Sequence, residues 1–159
     1  MSDRGCLLCD PAAADEALAR TEAWSDSMWR LTVSLRSEVL GLSYLEPRRH
    51  VPHITDLDGD EAATLGPTLA RAADALKDAA DAELVYVYIF GEGIAHLHIH
   101  LAAHSPGDAL NDQIIRGDVV EREGPGGSTE IVSADYPLLP RGALDEVAAA
   151  VRRRMSDVA

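Results

Sequence analysis

The sequence predicts an α+β fold, and three patterns carry that prediction. Residues 28–35 alternate, with Trp29, Leu31, Val33 and Leu35 on one side and Arg30, Thr32 and Ser34 on the other, the period-two signature of a half-buried strand. Leu65, Leu69, Ala72, Ala73, Leu76 and Ala80 recur at helical spacing. The run from Leu84 to Phe90, rich in Val, Ile and Tyr, reads as a further strand, followed by another alternating stretch at 95–102.

Taken in order, Asp10 supplies a helix cap and Pro11 the first helical position, so a helix is expected over 11–20, with Cys6 and Cys9 in the turn before it. Residues 39–46 are expected to pair antiparallel with 28–35 and to stop at Pro47, which cannot donate to a ladder. Asp58 with Glu61 resembles a capping box opening a long helix to about Ala82; Pro67 either kinks it or marks its true start. The run 84–90 is continuous and apolar, as in a central strand buried on both faces, with 95–102 as its partner. Gly124-Pro125-Gly126-Gly127 reads as a mobile loop. A last helix over 141–155 buries Leu144, Val147, Ala148, Val151 and Met155, with its acids early and arginines late, as the helix dipole prefers.

A chain of 159 residues fits one domain, 1–159, that buries about two thirds of its unfolded surface. The longest apolar run is too short to cross a bilayer, and residues 1–5 lack the basic and apolar stretches of a secretory signal, so a soluble cytoplasmic protein is expected. Fourteen basic residues against twenty-seven acidic ones give a net charge of −13. That charge disfavours sequence-independent nucleic acid binding, which needs a basic face, so any phosphate ligand is expected to be small and locally held. The two cysteines form Cys6-x-x-Cys9, which in a reducing compartment points to metal or redox chemistry before a structural disulfide.

The chemistry concentrates in His96, His98 and His100. At every second residue of a strand, all three project from one face while Leu97, Ile99 and Leu101 enter the core. His104 adds a fourth imidazole. Three readings are open on the residues alone: a solvated polar face, an open metal site built on His98, His100 and His104, or an imidazole nucleophile toward phosphorus with neighbours that hold phosphate oxygens.

His96-Leu97-His98-Ile99-His100-Leu101-Ala102 resembles the signature of the histidine triad (HIT) family, in which histidines alternate with hydrophobic residues. Gly91-Glu92-Gly93-Ile94-Ala95 stands where that family has Gly-Gln-Ser/Thr-Val-x, and Pro47-Arg48-Arg49-His50 is similar to its Pro-Lys-x-His strand end. The match covers about 6–104, with 105–159 as a variable C-terminal part. The resemblance, within the zinc-containing bacterial branch and toward members like diadenosine polyphosphate hydrolases, implies a HIT-like antiparallel sheet of about five strands with a long helix and a C-terminal helix. It also implies a homodimer and a small-molecule nucleotide substrate. His98 would attack the α-phosphorus to form a nucleotidyl-histidine, and His100 would contact the phosphate.

The same resemblance implies one structural zinc per chain on Cys6, Cys9, His50 and His96. Glu92, Gly93 and His104 fall at substrate-binding positions, yet Glu92 puts a carboxylate where the family has a neutral amide, and Gly93 lacks the hydroxyl. The implied activity is a nucleotide hydrolase or nucleotidyl transferase. The alternatives are a catalytically weak nucleotide-binding zinc protein and a metal-dependent hydrolase.

Overall fold

The computed structural model of the chain describes residues 5–90, 93–110, 119–123, 129–133 and 136–157. A 3-10 turn, Leu7–Cys9, leads into α1 (Pro11–Ala17), where the Asp10 carboxylate accepts from the Ala13 N–H at 3.2 Å and Pro11 opens the helix. This helix ends before the expected Arg20. Ala19 takes a positive φ of 46°, and the chain turns into β1 (Arg20–Ser25), a strand whose polar sequence and bulge between Glu22 and Trp24 hide its alternation.

β2 (Trp29–Ser34) and β3 (Ser43–Pro47) pair antiparallel as expected, with Leu31 opposite Leu45 and Thr32 opposite Tyr44, but β3 starts at Ser43 and not at Val39, and Pro47 closes the ladder opposite Trp29. The connection between them packs against a helix at Gly41, whose φ is +74° and whose added Cβ would come within 2.6 Å of Leu76 Cδ1. β2 is not half-buried. Every residue in it is covered, because the side carrying Arg30, Thr32 and Ser34 lies under its own layer of charged partners.

α2 (Gly59–Ala79) runs with Pro67 inside it, so the proline does not mark its start. Asp58 occupies the N-cap position but makes no capping hydrogen bond. Arg49 takes both carboxylates of the expected box, reaching Asp58 Oδ1 at 2.7 Å and Glu61 Oε1 at 2.9 Å.

The remaining sheet strands are β4 (Leu84–Tyr88) and β5 (Ile99–His104), giving a five-stranded antiparallel sheet in the order β1-β2-β3-β5-β4. β4 is therefore an edge strand and not a central one, and Leu84, Val87, Ile89 and Phe90 are exposed. Apolar content reported burial here only where β5 and α2 cover the strand. β5 starts later than expected, so His96 and His98 precede the ladder. A second sheet pairs β6 (Val119–Glu123) with β7 (Thr129–Ser133). The Gly-Pro-Gly-Gly segment lies outside the described residues.

α3 (Arg141–Ser156) buries all five predicted residues, Leu144, Val147, Ala148, Val151 and Met155. α2 and α3 pack on one face of the sheet, where Trp29, Leu31, Val33, Leu45, Leu97, Ile99 and Leu101 meet Ala72, Leu76, Val147 and Val151 in the main core. The opposite face carries the site.

Candidate active site and metal centre

Two bends bring the metal candidates together. The Leu7–Cys9 turn presents Cys6 and Cys9, and the chain leaving β3 at Pro47 presents His50. His96 arrives from the segment before β5, whose Leu97 N–H donates to Val51 O at 2.6 Å. One ligand atom from each of Cys6, Cys9, His50 and His96 lies within 4.8 Å of the others. His96 Nδ1 is 3.4 Å from Cys6 Sγ and 3.6 Å from Cys9 Sγ, and His50 Nδ1 is 3.4 Å from Cys9 Sγ.

These residues fit zinc. A tetrahedral ion with Zn–S near ~2.3 Å and Zn–N near ~2.0 Å sets its S···N edges at about 3.5 Å. His96 is also prepared chemically. Its Nε2–H donates to Pro47 O at 2.9 Å, which leaves the Nδ1 lone pair facing the sulfurs. Burial of this imidazole, 1% exposed, holds its protonated form below the usual histidine range, against the Pro47 hydrogen bond and the Glu46 charge that act the other way.

His98 and His100 are set apart from this cluster. His98 Nδ1–H donates to the His96 carbonyl at 2.7 Å, so Nε2 carries the lone pair. His100 lies between Tyr44 and Tyr88 across the β3–β5–β4 register, its ring 5.0 Å from Tyr44, 5.2 Å from Phe90 and 5.2 Å from His98. The three histidines do not face one pocket, as the alternation predicted. His96 lines a cavity of about 180 Å3 with Pro52, His53, Ile54, Ile89, Phe90, Leu97 and His98. His98 and His100 line a second, of about 250 Å3, with Arg20, Arg36, Tyr44 and Glu46. His98 alone among the histidines borders both cavities.

His104 is elsewhere. It closes β5, four residues and about 13 Å beyond His100, buried under the Tyr86 ring and donating through Nδ1 to Asp108 Oδ1 at 2.9 Å. It lines neither cavity, so its expected contact with substrate gives way to a structural role clamping the turn after β5. The same distance removes the metal site of His98, His100 and His104. Gly93 takes φ +83° in the bend leading to His96. Glu92 lies outside the described residues.

Sequence reasoning missed the polar floor of the second cavity. Glu46 ends the strand expected over 39–46, and its alternation with Leu45 is the signal that places it on the side away from the core. Arg20 binds Glu46 through both terminal nitrogens, one of them at 3.2 Å, and Asp15 Oδ1 through Nε at 3.1 Å. Arg30 bonds Asp15 and, at 2.6 Å, Glu22. Burial acts to raise the Glu22 carboxyl, but hydrogen bonds from Arg30 and Ser25 outweigh it and hold the group below the usual carboxylate range.

Comparison with known proteins places this architecture. The chain is similar to a Zn-bound histidine triad family protein from Mycobacterium smegmatis, at 18% identity over 98% of this chain and 99% of that one, with a TM-score of 0.63. It is also similar to a Hit-like protein involved in cell-cycle regulation from Bartonella henselae (15% identity, 96% and 98% covered, TM-score 0.65). A hypothetical histidine triad nucleotide-binding protein from Sulfolobus tokodaii matches at 17% identity, with 96% and 93% covered and a TM-score of 0.65. No protein-family model matches the sequence, and no curated protein matches it. The chain has the fold of the histidine triad proteins, and at these identities the likeness speaks for the fold and not for the diadenosine polyphosphate hydrolase-like subtype. Among the described residues no helix is long and apolar enough to cross a membrane.

Proposed function

We propose that this chain is a histidine triad enzyme that cleaves or transfers a nucleotidyl group through His98. The observation that carries this reading is the His98 Nδ1–H···O=C bond to His96, which leaves Nε2 as a nucleophile at the junction of two cavities. In the first step Nε2 forms a bond to the α-phosphorus as the bond to the leaving group breaks, and the leaving group departs with the electron pair and takes a proton from solvent. Water, or another acceptor, then displaces His98 and gives up a proton. His100, one residue pair away on the same face, donates to charge developing on a phosphate oxygen. Incubation with a labelled nucleoside phosphoramidate followed by acid-free quenching and peptide mapping tests the intermediate. Label on His98 supports the reading; label elsewhere, or turnover retained in His98→Ala, defeats it.

Cys6, Cys9, His50 and His96 would hold one structural zinc, which would tie the N-terminal turn to the sheet and leave no position open for substrate. A cytoplasmic setting would keep both cysteines reduced for that purpose. Elemental analysis of the purified chain decides it, with one zinc per chain expected and loss of that zinc in Cys6→Ser with Cys9→Ser. The exposed β4 edge supports a homodimer, since two copies of an antiparallel edge pair around a two-fold axis and cover Val87, Ile89 and Phe90. Sedimentation of Val87→Arg should show a smaller species than the parent.

A further inference from the structure

Cys6 and Cys9 are built to meet each other as well as an ion. The Cys9 N–H donates to Cys6 O at 3.2 Å and closes the Leu7–Cys9 turn, in which side chains three residues apart lie one above the other. Both sulfurs face one atom, His96 Nδ1, at 3.4 and 3.6 Å. A turn of this kind holds its end Cα atoms within about 7 Å, the range that a disulfide spans. Both cysteines are half-buried, so a small oxidant reaches them without unfolding the chain, whereas His96 is almost fully buried.

One residue separates these thiols from the nucleophile. His96 Nδ1 faces the sulfurs, its Nε2–H donates to Pro47 O, and its carbonyl accepts the His98 Nδ1–H at 2.7 Å. We propose that Cys6 and Cys9 form a peroxide-operated switch that disconnects His98, an inference that rests on the zinc and nucleotidyl readings above. One thiolate attacks a peroxide oxygen, the O–O bond breaks, and the sulfur becomes a sulfenic acid while hydroxide leaves. The second thiolate attacks that sulfur, the S–O bond breaks, and a second hydroxide leaves. Both hydroxides take protons from solvent and become water, so the two sulfurs lose two electrons and the peroxide gains them. With the sulfurs committed to each other, the ion loses its thiolates and departs, and the His96 Nδ1 lone pair is stranded in a buried place. The ring and its backbone shift to recover a partner and take the carbonyl from His98, whose proton then divides between Nδ1 and Nε2. A thiol reductant reverses the step, and in a reducing compartment such a disulfide is transient, as a sensor requires.

Treatment of the zinc-loaded full chain with a small excess of hydrogen peroxide tests the switch. Zinc release is read with a chromogenic chelator, the sulfurs by intact mass, and the His98 tautomer by ring-nitrogen NMR. The expected result is release of the zinc with a mass short by two hydrogens, replacement of the His98 Nδ1–H form by a mixture of tautomers, and turnover lowered by at least about tenfold. Reduction with a phosphine and re-addition of zinc should restore every reading. Zinc retained under peroxide, or lost with sulfinic acids in place of a disulfide, overturns the switch and leaves the zinc reading standing. A disulfide that forms while the His98 tautomer stays unchanged also overturns it. A purified chain that holds no zinc defeats the zinc reading and the switch together. If nucleotidyl label maps away from His98 the nucleotidyl reading falls, and the zinc, mass and tautomer readings still decide whether the thiols move His98.

Discussion

On its helix side the sheet buries Trp29, Leu31, Val33, Leu45, Ile99 and Leu101, none more than 1% exposed, while the other side of the same strands carries Arg30, Thr32, Tyr44, Glu46 and His100. The first side is held by shape and the exclusion of water. The second is held by pairing, in which each carboxylate and guanidinium finds a partner from α1, β1, β2 or β3. Apolar packing tolerates small errors gradually, whereas a buried ion network fails when one member is lost. The contrast marks the paired side as the one where the fold accepts a desolvation cost that stability alone does not require.

Variants sharpen that contrast by separating chemistry from stability. His98→Ala should lower turnover of a nucleoside phosphoramidate by at least about a thousandfold while its melting temperature stays at the parent value, because the side chain faces the cavities and not the core. Steady-state rates beside a melting curve check both halves. Trp29→Ala should do the reverse, costing about 3–5 kcal/mol in urea unfolding, since it empties a fully buried site and breaks the Nε1–H bond to Thr64 Oγ1 at 2.9 Å. Properly folded Trp29→Ala should retain its rate per molecule.

The Cys6, Cys9, His50 and His96 cluster joins the two sides, and in the chain stripped of metal with a chelator pH probes the join. The folded-state pKa of His96 lies below its ordinary value of 6.5, so the unfolded chain binds more protons as the solution acidifies. Its contribution to stability is full above pH 6.5 and is lost as the pH falls from there through the lowered folded value. Unfolding midpoints measured between pH 8 and pH 5 should fall with acid, and the fall should be blunted in His96→Asn. An identical slope in that variant would assign the acid sensitivity to other groups.

The smallest expected effect belongs to Thr32. Its Oγ1 is buried and has no hydrogen-bond partner among the described residues. Thr32→Val keeps the volume and removes that stranded hydroxyl, so stability should hold or rise by about 1 kcal/mol in urea unfolding. A loss of more than that would show that the hydroxyl is bonded in solution and that the paired side extends deeper than the ion network.

How far the chain could be read in advance follows the same division. Local signals were decisive where a residue's role depends on its neighbours in sequence: the Asp10–Pro11 helix start, the five buried positions of α3, the 28–35 alternation and the spacing of His96, His98 and His100 all rest on helical or strand periods. Apolar content misled at β4, because a strand's place in a sheet depends on which strands flank it, and 84–90 carries no record of β5 covering only one of its edges. The same absence hid β1, whose polar residues become buried only when Arg20 meets Asp15 and Glu46. The sequence alone singled out two cysteines and alternating histidines as the candidates for chemistry. Only the tertiary structure decided that His96 turns toward the thiols while His98 and His100 turn toward an arginine–glutamate floor, because those directions are set by hydrogen bonds to Pro47 and His96 carbonyls and by ion pairs across 26 residues of separation, which no local pattern encodes.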